Sequence, residues 1–154
     1  MFFNKKNKII DIYHEFVDSD MHKEGNGRFK RGAFTFEEYK GYIILVAVDN
    51  NNVSGVLKIP DGVSIIHTHS LTVLENITGI EMPDSVQVIG EDAIAYCDKL
   101  RYIQVSANIY HMGFWAISYC KALTEVRLPR QYDEPFFDQK IQNLYDGKIK
   151  IIRF

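Results

Sequence analysis

The sequence predicts a strand-rich α/β repeat fold, in which coils of about 23 residues stack into a short solenoid with a cap at each end. The first observation behind this prediction is that apolar residues recur every 23 positions between residues 57 and 128. The second is that the flanking residues 1–55 and 130–154 lack this period, as capping segments do. The clearest columns are Leu57, Ile80, Ile103 and Val126; Val63, Val86 and Ile109; Ala93 and Ala116; and Cys97 and Cys120.

Length and composition fit a single structural domain. The chain has 154 residues, of which 46% are hydrophobic and 25% charged, with a net charge of -2. We expect residues 1–55 to form an N-terminal cap, residues 56–129 the solenoid and residues 130–154 a C-terminal cap, all within that one domain. The interspersed charges provide no basic field for nucleic acid, so we expect neither DNA nor RNA as a partner.

The chain also shows no targeting or membrane segment. Residues 1–8 carry lysines, but Asp11 interrupts the apolar run that follows, so we expect no signal peptide. No stretch approaches the roughly 20 apolar residues that span a bilayer. We therefore expect a cytoplasmic protein without membrane contact.

The N-terminal cap is predicted to be a helix followed by a β-hairpin. Residues 7–17 place Ile9, Tyr13 and Phe16 at helical spacing, and the polar residues 18–27 favour a turn or loop. Residues 33–36 and 42–48 are two β-prone runs that form the hairpin. The second run is apolar at every position, so it needs cover from the helix on one face and from the first coil on the other.

Each coil is predicted to have three short sides. The first is a strand of the form apolar-x-apolar-Pro, as at residues 57–60, and a turn leads to a second short strand at residues 63–66. The third side, at residues 91–97 and 114–120, is apolar at intervals of three and four. This spacing predicts one or two helical turns.

The C-terminal segment departs from the repeat after Pro129. Pro135, Phe136 and Phe137 interrupt the pattern, and residues 148–154 alternate like a final strand after the turn at Asp146. We therefore expect three clear coils, a partial fourth and a closing cap.

Two segments, residues 80–100 and 113–123, resemble the BspA-like leucine-rich repeats of bacterial surface antigens, whose pattern is roughly I-P-x-x-V-x-x-I-G-x-x-A-F-x-x-C-x-x-L. The resemblance covers residues 57–129 and implies a leucine-rich-repeat solenoid used for adhesion or protein binding. Because the array is short and shows no export signal, we expect an intracellular adapter or inhibitor, of a kind that a bacterium or a bacterial virus could encode. The alternative is a self-associating structural protein or a surface adhesin.

The residues that could carry chemistry favour structural roles. Cys97 and Cys120 share a column, so their backbones should stack about 4.8 Å apart, close enough for a disulfide. Two buried free thiols are the expected state without a secretory signal. His67 and His69 could share a face, but no further ligand lies nearby in sequence. We expect no enzymatic activity, no cofactor and no metal.

The strongest functional signal lies where the third repeat differs from the second. Two outward carboxylates, Glu91 and Asp92, are replaced there by Phe114 and Trp115. These aromatics either form a binding hot spot or pack under the C-terminal cap. The outward column Lys58, Glu81, Gln104 and Arg127 indicates a solvated ladder instead. We expect the partner to be another protein, with homo-oligomers as an open alternative. The predicted binding residues are Tyr102, Tyr110, His111, Phe114 and Trp115.

Overall fold

The structure, a computed structural model, describes residues 5–142 and 144–154. Met1–Asn4, part of the segment in which no signal peptide is expected, lie outside the described residues. Helices α1 (Lys5–Asp18) and α2 (Asp20–Lys23) are followed by strands β1 (Arg28–Arg31), β2 (Phe34–Tyr39) and β3 (Tyr42–Val48). No helix in the described part of the chain is long and apolar enough to cross a membrane.

The remaining strands form the coils, and short 3₁₀ turns at Asn50–Asn52, Phe137–Gln139 and Leu144–Asp146 connect them to the caps. These strands are β4 (Gly55–Lys58), β5 (Val63–Ile66), β6 (Leu71–Thr72), β7 (Ile77–Glu81), β8 (Val88–Ile89), β9 (Ile94–Ala95), β10 (Tyr102–Gln104), β11 (His111–Met112), β12 (Ile117–Ser118), β13 (Glu125–Leu128) and β14 (Lys150–Arg153).

Three sheets line the sides of the solenoid. The first side has the order β14-β13-β10-β7-β4, the second side β1-β2-β3-β5-β8-β11 and the third side β12-β9-β6. Successive coils pair in parallel, and Leu57, Ile80, Ile103 and Val126 lie directly opposite one another on consecutive strands. All four side chains are buried in one continuous core. The predicted repeat fold is therefore confirmed.

The prediction of helical turns on the third side is wrong. Each of the three central coils has a two-residue strand there, and these strands pair in parallel. The apolar spacing of three and four arises because left-handed residues, such as Asp92 and Tyr96, flank the strand and turn the chain at both corners. Ala93 and Cys97 consequently both point into the core without a helix.

The N-terminal cap matches the predicted helix and hairpin and adds two elements. Helix α1 begins at Lys5, and the expected loop contains the short helix α2, which Ser19 caps by accepting a hydrogen bond from His22 N–H. Strand β1, which was not predicted, pairs antiparallel with β2. The hairpin of β2 and β3 is thereby extended to three antiparallel strands. Strand β3 is covered on both faces, because Ile44 packs against α1 and Leu45 packs in the solenoid core.

A glycine in the second coil gives α1 its docking position. A Cβ atom at Gly90 would lie only 2.3 Å from the Tyr13 hydroxyl, so only glycine leaves room for this ring. The hydroxyl accepts a hydrogen bond from Thr68 N–H at 3.2 Å and lies 2.9 Å from His67 Nδ1. The helix is therefore fixed to the first coil by polar contacts and packs closely against Gly90 of the second coil.

The C-terminal segment extends the array further than predicted. Strand β14 pairs in parallel with β13 and forms a fifth strand of the first side, with Ile151 opposite Val126. The step from Val126 to Ile151 is 25 residues instead of 23, which explains why the sequence period does not reveal it. Tyr132, Ile141 and Ile149 are buried and close the core at this end.

Candidate binding surface

The structure distributes the five predicted binding residues over different sides of the solenoid. Tyr102 lies on β10 of the first side, where its hydroxyl donates a hydrogen bond to Glu81 at 2.9 Å. The guanidinium of Arg127 lies 4.6 Å from the centre of its ring. Tyr102 is thus tied into the outward column of the first side, whose members pair in the predicted register.

Tyr110 and His111 lie on the second side, next to the C-terminal cap. His111 Nδ1 is 2.8 Å from Glu134 Oε2, and Tyr110 is half-buried beside a cleft of about 340 Å³ that also includes Gln131. His111 therefore contributes to the closure of the solenoid.

Phe114 and Trp115 lie at the corner between the second and third sides, and each remains 46% exposed. The Phe114 ring contacts Phe136 of the C-terminal segment, with 6.5 Å between ring centres, and Lys140 Nζ lies 5.3 Å from the Phe114 ring. Trp115 instead packs edge-on against Tyr119 at 6.0 Å. The cap thus covers Phe114 only in part, and Trp115 faces the third side.

Trp115 forms one wall of a groove on the third side, which we call the third-side trough. Its volume is about 480 Å³. Two rows of residues, one at each corner, form its walls, and the short strands form its floor. The trough residues are His69, Asp92 and Trp115 in one wall, Val73, Tyr96 and Tyr119 in the other, and Thr72 and Ala95 on the floor.

All six wall residues have a left-handed backbone, with φ between 49° and 59°. Residues other than glycine rarely adopt this conformation, which is especially unusual for a β-branched residue such as Val73. The ladder hydrogen bonds hold them there: Leu71 and Val73 donate to the carbonyls of Ala93 and Ala95 in the next coil. Because the corners are fixed by backbone bonds on neighbouring coils, the wall side chains project from a rigid support.

The walls carry a continuous apolar strip. Tyr96 and Tyr119 stack with 5.0 Å between ring centres and an angle of 5° between their planes. Val73 extends this row by one coil, and it and Tyr96 are more than half exposed. Large exposed aromatic and aliphatic side chains on adjacent coils are typical of interfaces.

Tyr96 and Tyr119 were not predicted as binding residues. Each precedes a cysteine of the repeat, and the two are 23 residues apart, so a search for aromatic columns would have found them. The column was overlooked because the third side was predicted to be helical, and the stacking of the two rings follows from the parallel strands found there instead.

Asp92 is the one carboxylate among the trough residues. Asp98 and Lys121 follow the wall residues Tyr96 and Tyr119 by two positions each, and both are exposed. Lys121 lies 3.6 Å from Asp98, but both side chains are largely exposed, so this pair contributes little. On the third-side strands, Ser118 pairs with Ala95 of the trough floor, and its buried hydroxyl has no hydrogen-bond partner among the described residues.

The groups considered for catalysis or metal binding lie in apolar or cap-forming environments. Cys97 and Cys120 are free and buried. The hydrogen bond with Cys97, together with burial, raises the pKa of the Cys120 thiol far above its usual value, which favours the unreactive form. Burial, with positive charge nearby, lowers the pKa of His67 to about 4. The described residues contain no cluster of three or more metal-binding side chains.

Comparison with known proteins gives the same fold. In solved structures, the chain is similar to a leucine-rich repeat protein from Bacteroides capillosus, with 27% identity and a TM-score of 0.67 over 84% of this chain and 99% of that one. A leucine rich cell surface protein from Faecalibacterium prausnitzii aligns with 19% identity and a TM-score of 0.60 over 82% of this chain and 39% of that one.

No curated protein matches the chain. The family model for the BspA type leucine rich repeat region matches residues 49–146 in six copies, well over half of the sequence. The resemblance seen in the residues is thereby confirmed. This chain belongs to the BspA-type leucine-rich repeat family.

Proposed function

We propose that this protein is a non-catalytic protein-binding module whose recognition surface is the third-side trough. The observation that carries this proposal is the exposed strip formed by Val73, Tyr96, Trp115 and Tyr119 on consecutive coils. Aromatic side chains of this kind bury a large area on binding and lose little conformational freedom. Their backbone is already fixed, which further reduces the entropic cost of association.

Two further observations support a binding role. Leucine-rich repeat proteins are typically non-catalytic, and the buried cysteines offer no accessible nucleophile. The trough is also a shallow surface groove that spans three coils, a shape suited to a segment of another protein. The role we propose is that of an intracellular adapter or inhibitor that holds one partner.

The five residues predicted from the sequence then fall into two groups. Phe114 and Trp115 belong to the proposed surface or its edge, whereas Tyr102, Tyr110 and His111 lie around the corners on other sides. A partner that also reached the second side would contact Tyr110. The two surfaces can be tested separately.

Affinity capture with matched variants tests the proposal. The trough variant combines Tyr96→Asn and Tyr119→Asn, because asparagine tolerates the left-handed backbone and the substitution removes only the rings. Tyr110→Ala is the control on the second side. We expect a partner captured by the wild type to be lost with the trough variant and retained with the control, with unchanged circular dichroism for both. Retention of every captured protein by the trough variant would contradict the proposal.

Self-association is the second candidate, favoured by the same exposed strip. Light scattering at several concentrations distinguishes the two functions. Suppose that the apparent mass of the wild type rises with concentration, whereas that of the trough variant stays at the value of a monomer. The partner would then be a second copy of this chain.

A further inference from the structure

We propose that the third-side trough binds an extended, arginine-containing segment of the partner protein, with a guanidinium group stacked on the exposed rings and paired with Asp92. This inference rests on the proposed function and specifies the chemistry of the partner.

The walls combine the two features that a guanidinium group binds best. Tyr96, Tyr119 and Trp115 provide aromatic surface, and Asp92 is the one carboxylate among the residues that line the trough. An arginine side chain is planar and weakly hydrated, so it can stack on a ring while its N–H groups face a carboxylate. Trp115 occupies the same column as Asp92 one coil further on, which places their backbones about 4.8 Å apart, and both side chains line the trough.

The charge around the trough complements a cationic ligand. Asp92 is the one formally charged side chain among the residues that line the trough. Asp98 and Lys121, which follow the wall residues Tyr96 and Tyr119 in sequence, lie 3.6 Å apart, so their charges offset each other. The carboxylate of Asp92 therefore attracts positive charge and disfavours an acidic segment.

The floor of the trough determines how the ligand contacts it. The N–H groups of Leu71, Ile94 and Tyr96 already donate to carbonyls of the neighbouring coil. The ligand consequently binds through side chains and does not add to the third-side sheet as a new strand. Three coils span about 9.6 Å, the length of roughly three extended residues. One or two arginines in such a segment can reach the walls.

Fluorescence anisotropy with synthetic peptides tests this inference on the full-length chain. The probe is a short labelled peptide in which arginine alternates with serine. The comparison peptides replace arginine with citrulline, which keeps the shape without the charge, or with glutamate. We expect the arginine peptide to bind, the citrulline peptide to bind at least about fivefold more weakly and the glutamate peptide not to bind.

Variants then locate the binding. Asp92→Asn and the Tyr96→Asn, Tyr119→Asn pair should each weaken the arginine peptide by about fivefold or more, because each removes one of the two proposed contacts. Asp84→Asn, at an exposed carboxylate on another corner, should leave binding unchanged. Equal loss with Asp84→Asn would indicate non-specific charge attraction and overturn the inference, as would equal binding of the arginine and citrulline peptides.

The outcome is distinguishable from that of the proposed function. If the trough variant loses a captured protein but the arginine peptide does not bind the wild type, the trough is the recognition surface and the cationic partner is wrong. If capture does not depend on the trough and the peptide does not bind, both proposals fail.

Discussion

The two ends of the solenoid close the second-side sheet in different ways. At the N-terminal end the sheet continues as backbone, because β3, β2 and β1 add three strands beyond the first coil. At the C-terminal end it stops at β11, the last strand of that sheet in the described residues, and side chains take the place of the next strand.

The N-terminal end is closed by aromatic packing and a charged edge. Phe29, Phe34 and Phe36 pack together on the core side of the hairpin, with ring centres 5.3 and 6.1 Å apart. The outermost strand, β1, exposes Arg28, Lys30 and Arg31. Lysine and arginine on an edge strand discourage further pairing, so the sheet ends there without a covering element.

At the C-terminal end, an acidic and a basic side chain form the backbone hydrogen bonds that a further strand would otherwise form. Glu134 Oε1 accepts a hydrogen bond from Met112 N–H at 2.7 Å, and Lys140 Nζ donates to Met112 C=O at 2.5 Å. Lys140 and Glu134 lie 3.8 Å apart, and Lys140 is buried. The donor and the acceptor that a further strand would have paired are thus satisfied by two charged side chains.

The difference shows what a buried charge does in each cap. Glu37 in the N-terminal cap is also fully buried, with Arg28 Nε at 2.8 Å and His22 Nδ1 at 3.0 Å from one of its oxygens. It bonds only to side chains, however, and its other oxygen has no partner among the described residues. Glu134 replaces backbone pairing, whereas Glu37 does not.

The largest effect is expected for Glu134→Leu. This change leaves Met112 N–H unpaired and Lys140 buried without a carboxylate, which should lower the free energy of unfolding by about 3–5 kcal/mol. Chemical denaturation followed by circular dichroism measures the change. Asp133→Leu at the exposed neighbouring position is the control and should have little effect. If Glu134→Leu lowered the free energy of unfolding by less than about 1 kcal/mol, Glu134 would not be replacing the backbone pairing of a further strand.

The second prediction concerns pH, because the two ends contain groups that lose their stabilising effect over different pH ranges as the pH falls. His67, beside α1 and α2, has a pKa of about 4, chiefly because of burial. In the unfolded chain its pKa is near 6.5, so the unfolded state takes up the proton first as the pH falls. The resulting loss of stability should develop between pH 6.5 and 4. It should reach about 2 kcal/mol, since partial solvent access reduces the full effect of the shift.

Glu134 should respond only at lower pH. Burial alone would raise its pKa, but hydrogen bonds from His111 and from Met112 N–H outweigh burial and lower the pKa below 4.5. The contribution of Glu134 is therefore present above pH 4.5 and is lost as the pH falls through the lowered value.

Hydrogen exchange at a series of pH values, corrected for the intrinsic pH dependence of exchange, tests this order. The amides of α1 and β3 should lose protection before those of β11 and β13. Wild-type protein should also lose about 2 kcal/mol more than His67→Gln between pH 6.5 and 4. Simultaneous loss of protection at both ends, or equal pH dependence of the two proteins, would show that the ends do not differ in this way.

The fold was predictable because its main determinant is a local repeat. The column of Leu57 and its counterparts defines both the coil length and the register, and every member pairs as the period predicts. The helical prediction for the third side failed because the left-handed corners depend on bonds between coils, such as that from Tyr96 N–H to Ser118 C=O. The sequence predicts a final strand at residues 148–154. It does not reveal that β14 pairs as a fifth strand of the first side, because the step from Val126 to Ile151 is two residues longer than the period.

The candidate site was less predictable for a related reason. Sequence comparison of two repeats emphasised the differences at Phe114 and Trp115, and it overlooked Tyr96 and Tyr119 because these residues are the same in both. Only the stacking of coils shows that identical residues form a continuous row. The contact of His111 with Glu134 was likewise overlooked: the two positions are 23 residues apart, but the C-terminal segment lacks the apolar pattern that marks the other coils.

The smallest effect is expected for Glu37→Met, which tests the other side of the comparison. Methionine fills a similar volume, and Arg28, which is 48% exposed, can return to water when its partner is removed. Because no backbone group in the described part of the chain bonds to Glu37, the free energy of unfolding should change by less than about 1 kcal/mol, with a gain as the favoured direction. The same denaturation assay measures it, with Glu38→Met at the exposed neighbouring position as the control. A loss as large as that of Glu134→Leu would mean that both caps depend on their buried charge, and the contrast between backbone and side-chain closure would then be wrong.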